Sequence, residues 1–243
     1  MSTRITTWGG RLFNLADPQP DMVDIEDIAK ALSCICRYTG HCNDFYSVAQ
    51  HSILMASLSE FDSFGTPLQR LLHDSAEAYI NDIATPLKNY LLTNNKFRSD
   101  KNTQPIRNTE KRILKVIGEA LNVDLSDLCL VKQADLIMLA TEVRDLINPK
   151  GKRLFPEYIK RVRPVDYPIT PWDWKSAYKM FLTTYYELKE KEDAVDRRGH
   201  AGNNNERDGG ERIEDKGKND RDSTSSVIGG VGSDGVRSGK IPA

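Results

Sequence analysis

The sequence predicts an all-α domain with one short β-hairpin at its N-terminus and a disordered C-terminal tail. Three observations carry that expectation. Apolar residues recur at helical spacing through most of the first 190 residues, in stretches opened by the pairs Thr66-Pro67, Thr85-Pro86 and Thr170-Pro171; each pair joins a capping side chain to the residue suited to the first helical position. Strand signal is confined to residues 5–8 and 11–13, which flank Gly9-Gly10 as a two-residue hairpin turn would require. Beyond Glu190 there is no aromatic residue, and ten of the sixteen glycines lie there. Such a segment cannot bury enough apolar surface to offset its ordering entropy. Residues 1–190 are therefore expected to fold, with 191–243 as the tail.

Asp17-Pro18-Gln19-Pro20 reads as a loop after the hairpin. Asp24 with Asp27 resembles a helix start, and Ile25, Ile28, Ala29, Leu32, Ile35 and Cys36 supply the apolar stripe. Residues 37–43 break that pattern with Gly40 and polar neighbours. A second helix is expected over 44–59, where Val48, His51, Leu54, Met55 and Leu58 share one face, placing His51 among core residues. The helix opened by Thr66-Pro67 is expected to run on through His73-Asp74 and Glu77. A short helix follows Thr85-Pro86 through residue 92, and the polar residues 94–104 read as a mobile loop. Helical spacing returns over 105–121, and again from Ser126 or Asp127. The inward stripe of that later helix is Leu128, Val131, Asp135, Met138, Leu139, Glu142 and Leu146. Residues 148–168 contain Gly151 and four prolines and read as a long irregular connection. The last helix, from Thr170-Pro171 to about residue 190, offers Trp174, Ala177, Phe181 and Tyr185 for packing.

Charge narrows the function classes. With 34 Lys and Arg against 35 Asp and Glu, nothing draws the chain broadly to nucleic acid or to an anionic membrane. The N-terminus lacks the apolar core of a signal peptide, and no run approaches a membrane span. A cytoplasmic protein is expected. Four cysteines, 34, 36, 42 and 129, are too few for a disulfide framework and are expected as thiols.

The chemistry gathers around Leu71-Leu72-His73-Asp74-Ser75-Ala76-Glu77. On a helix each residue advances about 100°, so His73, Asp74 and Glu77 share an arc that also carries Leu71 and Ala78. Inward ionisable groups cost several kcal/mol unless paired, protonated or bound to a metal. Asp135, in the middle of an apolar stripe, raises the same demand. His51, His73, Asp74 and Asp135 thus form a candidate ligand set on three helices. Two imidazoles and two carboxylates suit Mn²⁺, Co²⁺, Fe²⁺ or Zn²⁺ better than Mg²⁺, and they leave positions for a water and a phosphate oxygen. The plain alternative for His51 alone is a satisfied core histidine. Cys34, Cys36, His41 and Cys42 offer a second, poorer zinc set, with core thiols as the alternative.

At these residues the sequence resembles the HD-domain phosphohydrolases, and within them the bacterial 5′-deoxynucleotidases and related phage proteins. The likeness runs through Cys36-Arg37-Tyr38, Tyr46-Ser47-Val48-Ala49-Gln50-His51-Ser52, His73-Asp74-Ser75-Ala76-Glu77, Asn81-Asp82-Ile83-Ala84-Thr85-Pro86-Leu87-Lys88 and Ala134-Asp135, over about residues 1–190. It implies an HD-type helical bundle and a single divalent ion on His51, His73, Asp74 and Asp135. It further implies that Glu77 assists the attacking water, Asp82 lies near the leaving group and sugar, and Arg37 contacts phosphate. Two positions depart from the family pattern: Tyr38 stands where tryptophan follows the arginine, and Gln50 where glutamate precedes the first histidine. Tyr38 and Lys88 are added as substrate-binding candidates. The bland readings are a helix-terminal cation for Arg37, a capping carboxylate for Asp82 and a solvent-facing side chain for Lys88. Glu142 either orients a ligand or pairs with Arg144 or another base.

The expected function is metal-assisted phosphoester hydrolysis of a nucleotide, as a 5′-deoxynucleotidase. A deoxynucleoside triphosphohydrolase releasing tripolyphosphate is the runner-up, and a non-catalytic metal-binding interaction module the reading from another class. No membrane partner or stable nucleic-acid complex is expected; a homodimer is implied by the resemblance alone.

Overall fold

The chain starts as a hairpin because Ile5 and Phe13 alternate with polar residues around a glycine pair. In the computed structural model, which describes residues 2–93 and 105–203, β1 (Arg4–Thr6) pairs antiparallel with β2 (Leu12–Asn14), Ile5 opposite Phe13. The turn has three residues rather than the expected two. Thr7 N–H donates to Arg11 O at 2.9 Å and Gly10 N–H to Thr7 O at 3.1 Å. Trp8, Gly9 and Gly10 thus form the loop, with Gly10 at φ +84°, a left-handed conformation that glycine adopts without a steric cost.

Helix α1 (Ile25–Cys34) begins as expected, its first turn capped by the Asp24 side chain accepting from Glu26 N–H. It ends before Ile35 because the chain there turns extended and pairs with residues 46–48. Arg37 N–H donates to Tyr46 O and Val48 N–H to Ile35 O. The same pairing delays α2 (Val48–Ser57) to residue 48 instead of 44, and the Ser47 side chain caps it by accepting from Gln50 N–H. Every residue from Val48 to Ala56 is buried. So α2 is wrapped on all sides rather than amphipathic, as a helix in the middle of a core must be. It packs on α1, on α3 (Pro67–Leu72) and on α7 (Cys129–Leu146).

The largest departure from expectation is at His73. Helix α3, closed at its start by a Thr66–Gln69 capping box, stops at Leu72. Ser75 N–H donates to Leu72 O, Glu77 N–H to Asp74 O and Ala78 N–H to Ser75 O, the tighter i→i−3 pattern. The Ser75 hydroxyl also donates to Leu72 O at 2.6 Å, a local bond that competes with the α-helical ladder. A one-turn helix, α4 (Glu77–Ile80), follows and ends at Asn81 with φ +69°.

Helices α5 (Thr85–Thr93) and α6 (Pro105–Leu121) lie where the sequence put them. Asp127 accepts from Cys129 N–H at the start of α7. The connection expected to be irregular contains the single turns α8 (Pro149–Lys152) and α9 (Glu157–Lys160). Helix α10 (Trp174–Asn203) is opened by Asp173, which accepts from Lys175 and Ser176 N–H, not by Thr170-Pro171. Ala177, Phe181 and Tyr185 are buried as expected. Trp174 is not; its ring lies at the surface, with Lys30 Nζ 3.7 Å from the centroid. Nor does α10 stop near residue 190. Residues 189–198 contain neither glycine nor proline, so nothing local ends it. The loop expected over 94–104 and the tail beyond residue 203 lie outside the described residues.

Two apolar clusters flank α2. One gathers Phe13, Ile28, Leu32, Ile53, Leu71, Ile117 and Phe181; the other gathers Tyr46, Met55, Phe61, Val131 and Met138. Each fully buried large side chain contributes about 1.5–3 kcal/mol. Among the described residues, no helix is long and apolar enough to cross a membrane.

Candidate metal centre

His51 comes from α2, His73 and Asp74 from the tight turn after α3, and Asp135 from α7. The structure brings His51, His73 and Asp135 within ligand reach of one another, with Asp74 against both histidines. His51 Nε2 is 3.3 Å from His73 Nε2 and 3.3 Å from Asp135 Oδ1. Asp74 Oδ2 is 3.1 Å from His73 Nε2 and 3.7 Å from His51 Nε2. One ligand atom from each of His51, His73 and Asp135 lies within 4.8 Å of the others.

The back of each imidazole explains why its front faces inward. His51 Nδ1 donates to Glu142 Oε1 at 2.6 Å, and His73 Nδ1 to the carbonyl of Arg70 at 2.8 Å. Both Nε2 atoms therefore meet at the cluster among carboxylate oxygens, a concentration of lone pairs that needs positive charge at its centre. A proton is one source: burial and Arg37 oppose a charged His51, but Glu142 and Asp135 outweigh them and raise it to about 9. A divalent ion is the other, and the donor set fits it; an entering ion displaces that proton. Asp74 stays ionised. Burial works against it, and His73, His51 and Arg37 hold it well below the usual carboxylate range.

Glu142 is fully buried and sits behind the cluster. Besides His51 it accepts from Arg37 Nε at 3.2 Å and from the Tyr38 hydroxyl at 2.6 Å, both on Oε2. Burial disfavours its charge, yet Arg37 and His51 lower its pKa to about 2. Arg37 also reaches Asp74 with Nη1 at 3.5 Å, so its guanidinium spans the orienting carboxylate and a ligand. Both alternatives open for Glu142 are realised: it orients His51 and it pairs with a base, Arg37 at 3.2 Å, while Arg144 pairs with Asp145. Tyr38 and Thr39 have φ of +58° and +54°, a region that is an outlier for a β-branched residue.

Glu77 is 8% exposed, and its Oε2 has no hydrogen-bond partner. Burial first, then Asp74 and Asp82, raise its pKa well above the ordinary value. Asp82 is raised too, by burial and Asp74 against the opposing pull of Arg37. Lys88 is not bare toward solvent. It pairs with Glu110 of α6 at 2.6 Å. The cysteine set does not assemble: Cys36 and Cys42 approach to 3.8 Å, but Cys34 is exposed and lies against Lys30. Among the described residues, only His51, His73 and Asp135 form a group of three or more metal-type side chains.

Two further residues support the site: Arg70, not singled out from the sequence, and Gln50, noted there only as a departure from the family pattern. Arg70 is fully buried and donates to the carbonyls of Met55, Phe61 and Gly65, fixing the backbone whose own carbonyl holds His73. An arginine inside Leu68-Gln69-Arg70-Leu71-Leu72 carried the same signal as Asp135 did. Gln50 donates to Thr170 O and accepts from Trp172 N–H. An amide can do both; the glutamate of the family pattern could only accept.

No protein-family model matches the chain. It is 35% identical over 189 residues to the uncharacterized protein YfdR of Escherichia coli (strain K12), covering 76% of this chain and 96% of that relative. An uncharacterized protein of Rhodobacter capsulatus is 40% identical over 85 residues, 32% of this chain and 43% of the relative.

Proposed function

The chain belongs to the family of Escherichia coli YfdR, and from the cluster it carries we propose that it is an HD-type, metal-dependent phosphohydrolase. Its substrates are nucleotides, and its activity is that of a 5′-deoxynucleotidase releasing orthophosphate from deoxynucleoside monophosphates, in the cytoplasm. The observation that supports this reading is the convergence of His51, His73, Asp74 and Asp135 beside a buried, unpaired Glu77 carboxylate and the Arg37 guanidinium.

His51, His73, Asp74 and Asp135 would hold one divalent ion, with two imidazoles favouring Mn²⁺, Co²⁺, Fe²⁺ or Zn²⁺ over Mg²⁺. When bound, the ion supplies Lewis-acid polarisation of a phosphate oxygen and acidifies a water. Glu77 is the base. Its Oε2 is buried without a partner, and burial, Asp74 and Asp82 raise its pKa, which strengthens its carboxylate as a proton acceptor; α4 carries it one tight turn from Asp74. Arg37 balances negative charge developing on the phosphoryl group. By the family likeness Asp82 would lie on the leaving-group side, and its raised pKa would suit it to return a proton there.

The test uses metal-stripped protein refilled with Mn²⁺, Co²⁺, Zn²⁺ or Mg²⁺ and offered deoxy- and ribonucleoside mono- and triphosphates. Orthophosphate from deoxymonophosphates supports the proposal. Tripolyphosphate from a deoxynucleoside triphosphate would replace it with a triphosphohydrolase, and silence across the panel would leave a metal-binding module.

A further inference from the structure

Cys36 and Cys42 bracket the turn that carries Arg37 and Tyr38, and their sulfurs stand 3.8 Å apart, in van der Waals contact. Both ends of the turn are anchored by bonds to distant residues. Cys36 bridges Ser47, and Arg37 N–H donates to Tyr46 O; Asn43 N–H, next to Cys42, donates to Leu146 O at the end of α7. The separation of the two sulfurs is therefore set by the fold rather than by a loose loop. Thr39, Gly40 and His41 between them are exposed, and both cysteines are partly so, which gives a small oxidant access.

The proposed hydrolysis uses neither thiol, yet the turn between them supports the metal cluster from behind. Tyr38 and Arg37 both donate to Glu142, which orients His51. Tyr38, Thr39 and Gly40 all have positive φ, so the turn is already tightly wound. Cys42 Sγ donates to Asp44 O at 3.0 Å, and a bond to Cys36 takes it off that carbonyl and pulls on the turn from its far end. Burial and Cys36 push the Cys42 thiol up to about 11. At neutral pH Cys42 thus keeps its proton, and the first attack on an oxidant falls to Cys36.

We propose that Cys36 and Cys42 are a redox modification site: a low-molecular-weight disulfide such as oxidised glutathione converts them to an intramolecular disulfide, and ring closure loosens the hold of Arg37 and Tyr38 on Glu142. Cys36 Sγ attacks one sulfur of the oxidant, whose S–S bond breaks, and one glutathione leaves as thiolate. Cys42 Sγ then attacks Cys36 Sγ and expels the second. The two thiol protons pass to the two leaving thiolates, so the pair loses two electrons and the oxidant becomes two thiols. Transient disulfides of this kind are the ones met in reducing compartments. The thiol chemistry is independent of phosphohydrolase activity; its effect on the cluster rests on the metal site within that reading.

The test uses the full chain with Cys34→Ser and Cys129→Ser, both exposed positions, so that the pair alone reports. Excess oxidised glutathione should remove both remaining thiols, lower the mass by two hydrogens and leave no glutathione attached; reduced glutathione should restore both. Trypsin cuts after Arg37, so residues 31–37 and 38–70 should emerge joined by the disulfide. In chelator competition Mn²⁺, chosen because thiolates bind it poorly, should bind about tenfold more weakly to the oxidised form, the lower end of the loss for a disturbed orienting partner. Adding Cys42→Ser should abolish both the cross-link and the affinity difference, and Cys36→Ser serves if that variant fails to fold. Persistent thiols, retained glutathione, or equal Mn²⁺ affinity of the two forms overturns the proposal. A reduced form that binds no Mn²⁺ overturns the metal reading and with it the coupling, while the thiol count still decides the modification itself.

Discussion

His51 Nδ1 donates to Glu142 Oε1 at 2.6 Å across ninety-one positions of sequence, and the other oxygen of that carboxylate holds Arg37 and Tyr38. One side chain therefore sets both the direction of a metal ligand and the position of the arginine proposed to meet phosphate. Glu142→Gln should weaken metal affinity by about 10–100-fold, the usual effect of losing a ligand's orienting partner, read by chelator competition. Glu142→Ala should in addition destabilise the fold by about 3–5 kcal/mol, because it leaves the Arg37 charge buried without its partner. Unchanged affinity in the glutamine variant would mean that His51 needs no orienting.

The Glu77 side chain makes no hydrogen bond to any of the four ligands, and its Oε2 is unpartnered. Glu77→Gln should keep the ion and the fold while lowering turnover by about 10²–10⁴, the range for loss of a general base. Metal content by elemental analysis beside phosphate release separates the two effects. Full turnover would remove Glu77 from the mechanism.

Thr39 is exposed and held at φ +54°, next to Tyr38 and two residues from Arg37. A side chain in the left-handed region costs about 1–2 kcal/mol, and glycine removes that cost at an entropic cost of its own. Thr39→Gly should raise stability by up to about 1 kcal/mol in denaturant titration, yet lower kcat/KM by loosening the Arg37 segment. A loss of stability would show that the Thr39 conformation is not strained.

The inward His-Asp pair and the misplaced Asp135 were legible because a carboxylate on an apolar stripe is a local contradiction that the sequence displays. The helices over 105–121 and from Ile25 were legible through period and caps. Apart from the break at His73, which is local, what escaped depends on contacts distant in sequence. The break at His73 follows from Ser75 bonding to Leu72 O; the late start of α2 follows from pairing between residues 35–37 and 46–48. Lys88 could not be assigned because its partner Glu110 lies on another helix. Glu142 showed the ambiguity at its plainest: Arg144 was its near neighbour in sequence, and the real partners were on α2 and the 37–38 turn.

Binding of an ion to the native cluster alone must stabilise the fold by mass action, about 2.7 kcal/mol at a free concentration one hundred times Kd. Thermal melts with chelator and with added Mn²⁺ or Zn²⁺ should therefore separate, and His73→Ala should abolish the separation. Equal melting of the two forms would count against a folded-state metal site.

Acid stability should depend on a pair remote from the cluster. Arg144 Nε and Nη2 each donate to Asp145 at 2.7 Å, Ile169 N–H donates to Asp145 Oδ2 at 2.9 Å, and Arg144 donates to the carbonyls of Val165 and Tyr167. The pair thereby ties the chain before α10 to the end of α7. Burial opposes the Asp145 charge, but Arg144 and the Ile169 amide prevail and depress its pKa below the ordinary value. A carboxylate depressed in the folded state contributes its full stabilisation above its unfolded pKa of about 3.9 and loses it as pH falls through the lower folded value. Asp145→Asn should accordingly melt earlier than the parent protein above about pH 4, and the two curves should converge as pH drops further below that value. Melting curves that stay parallel through that window would mean that Asp145 titrates alike in the folded and unfolded chain.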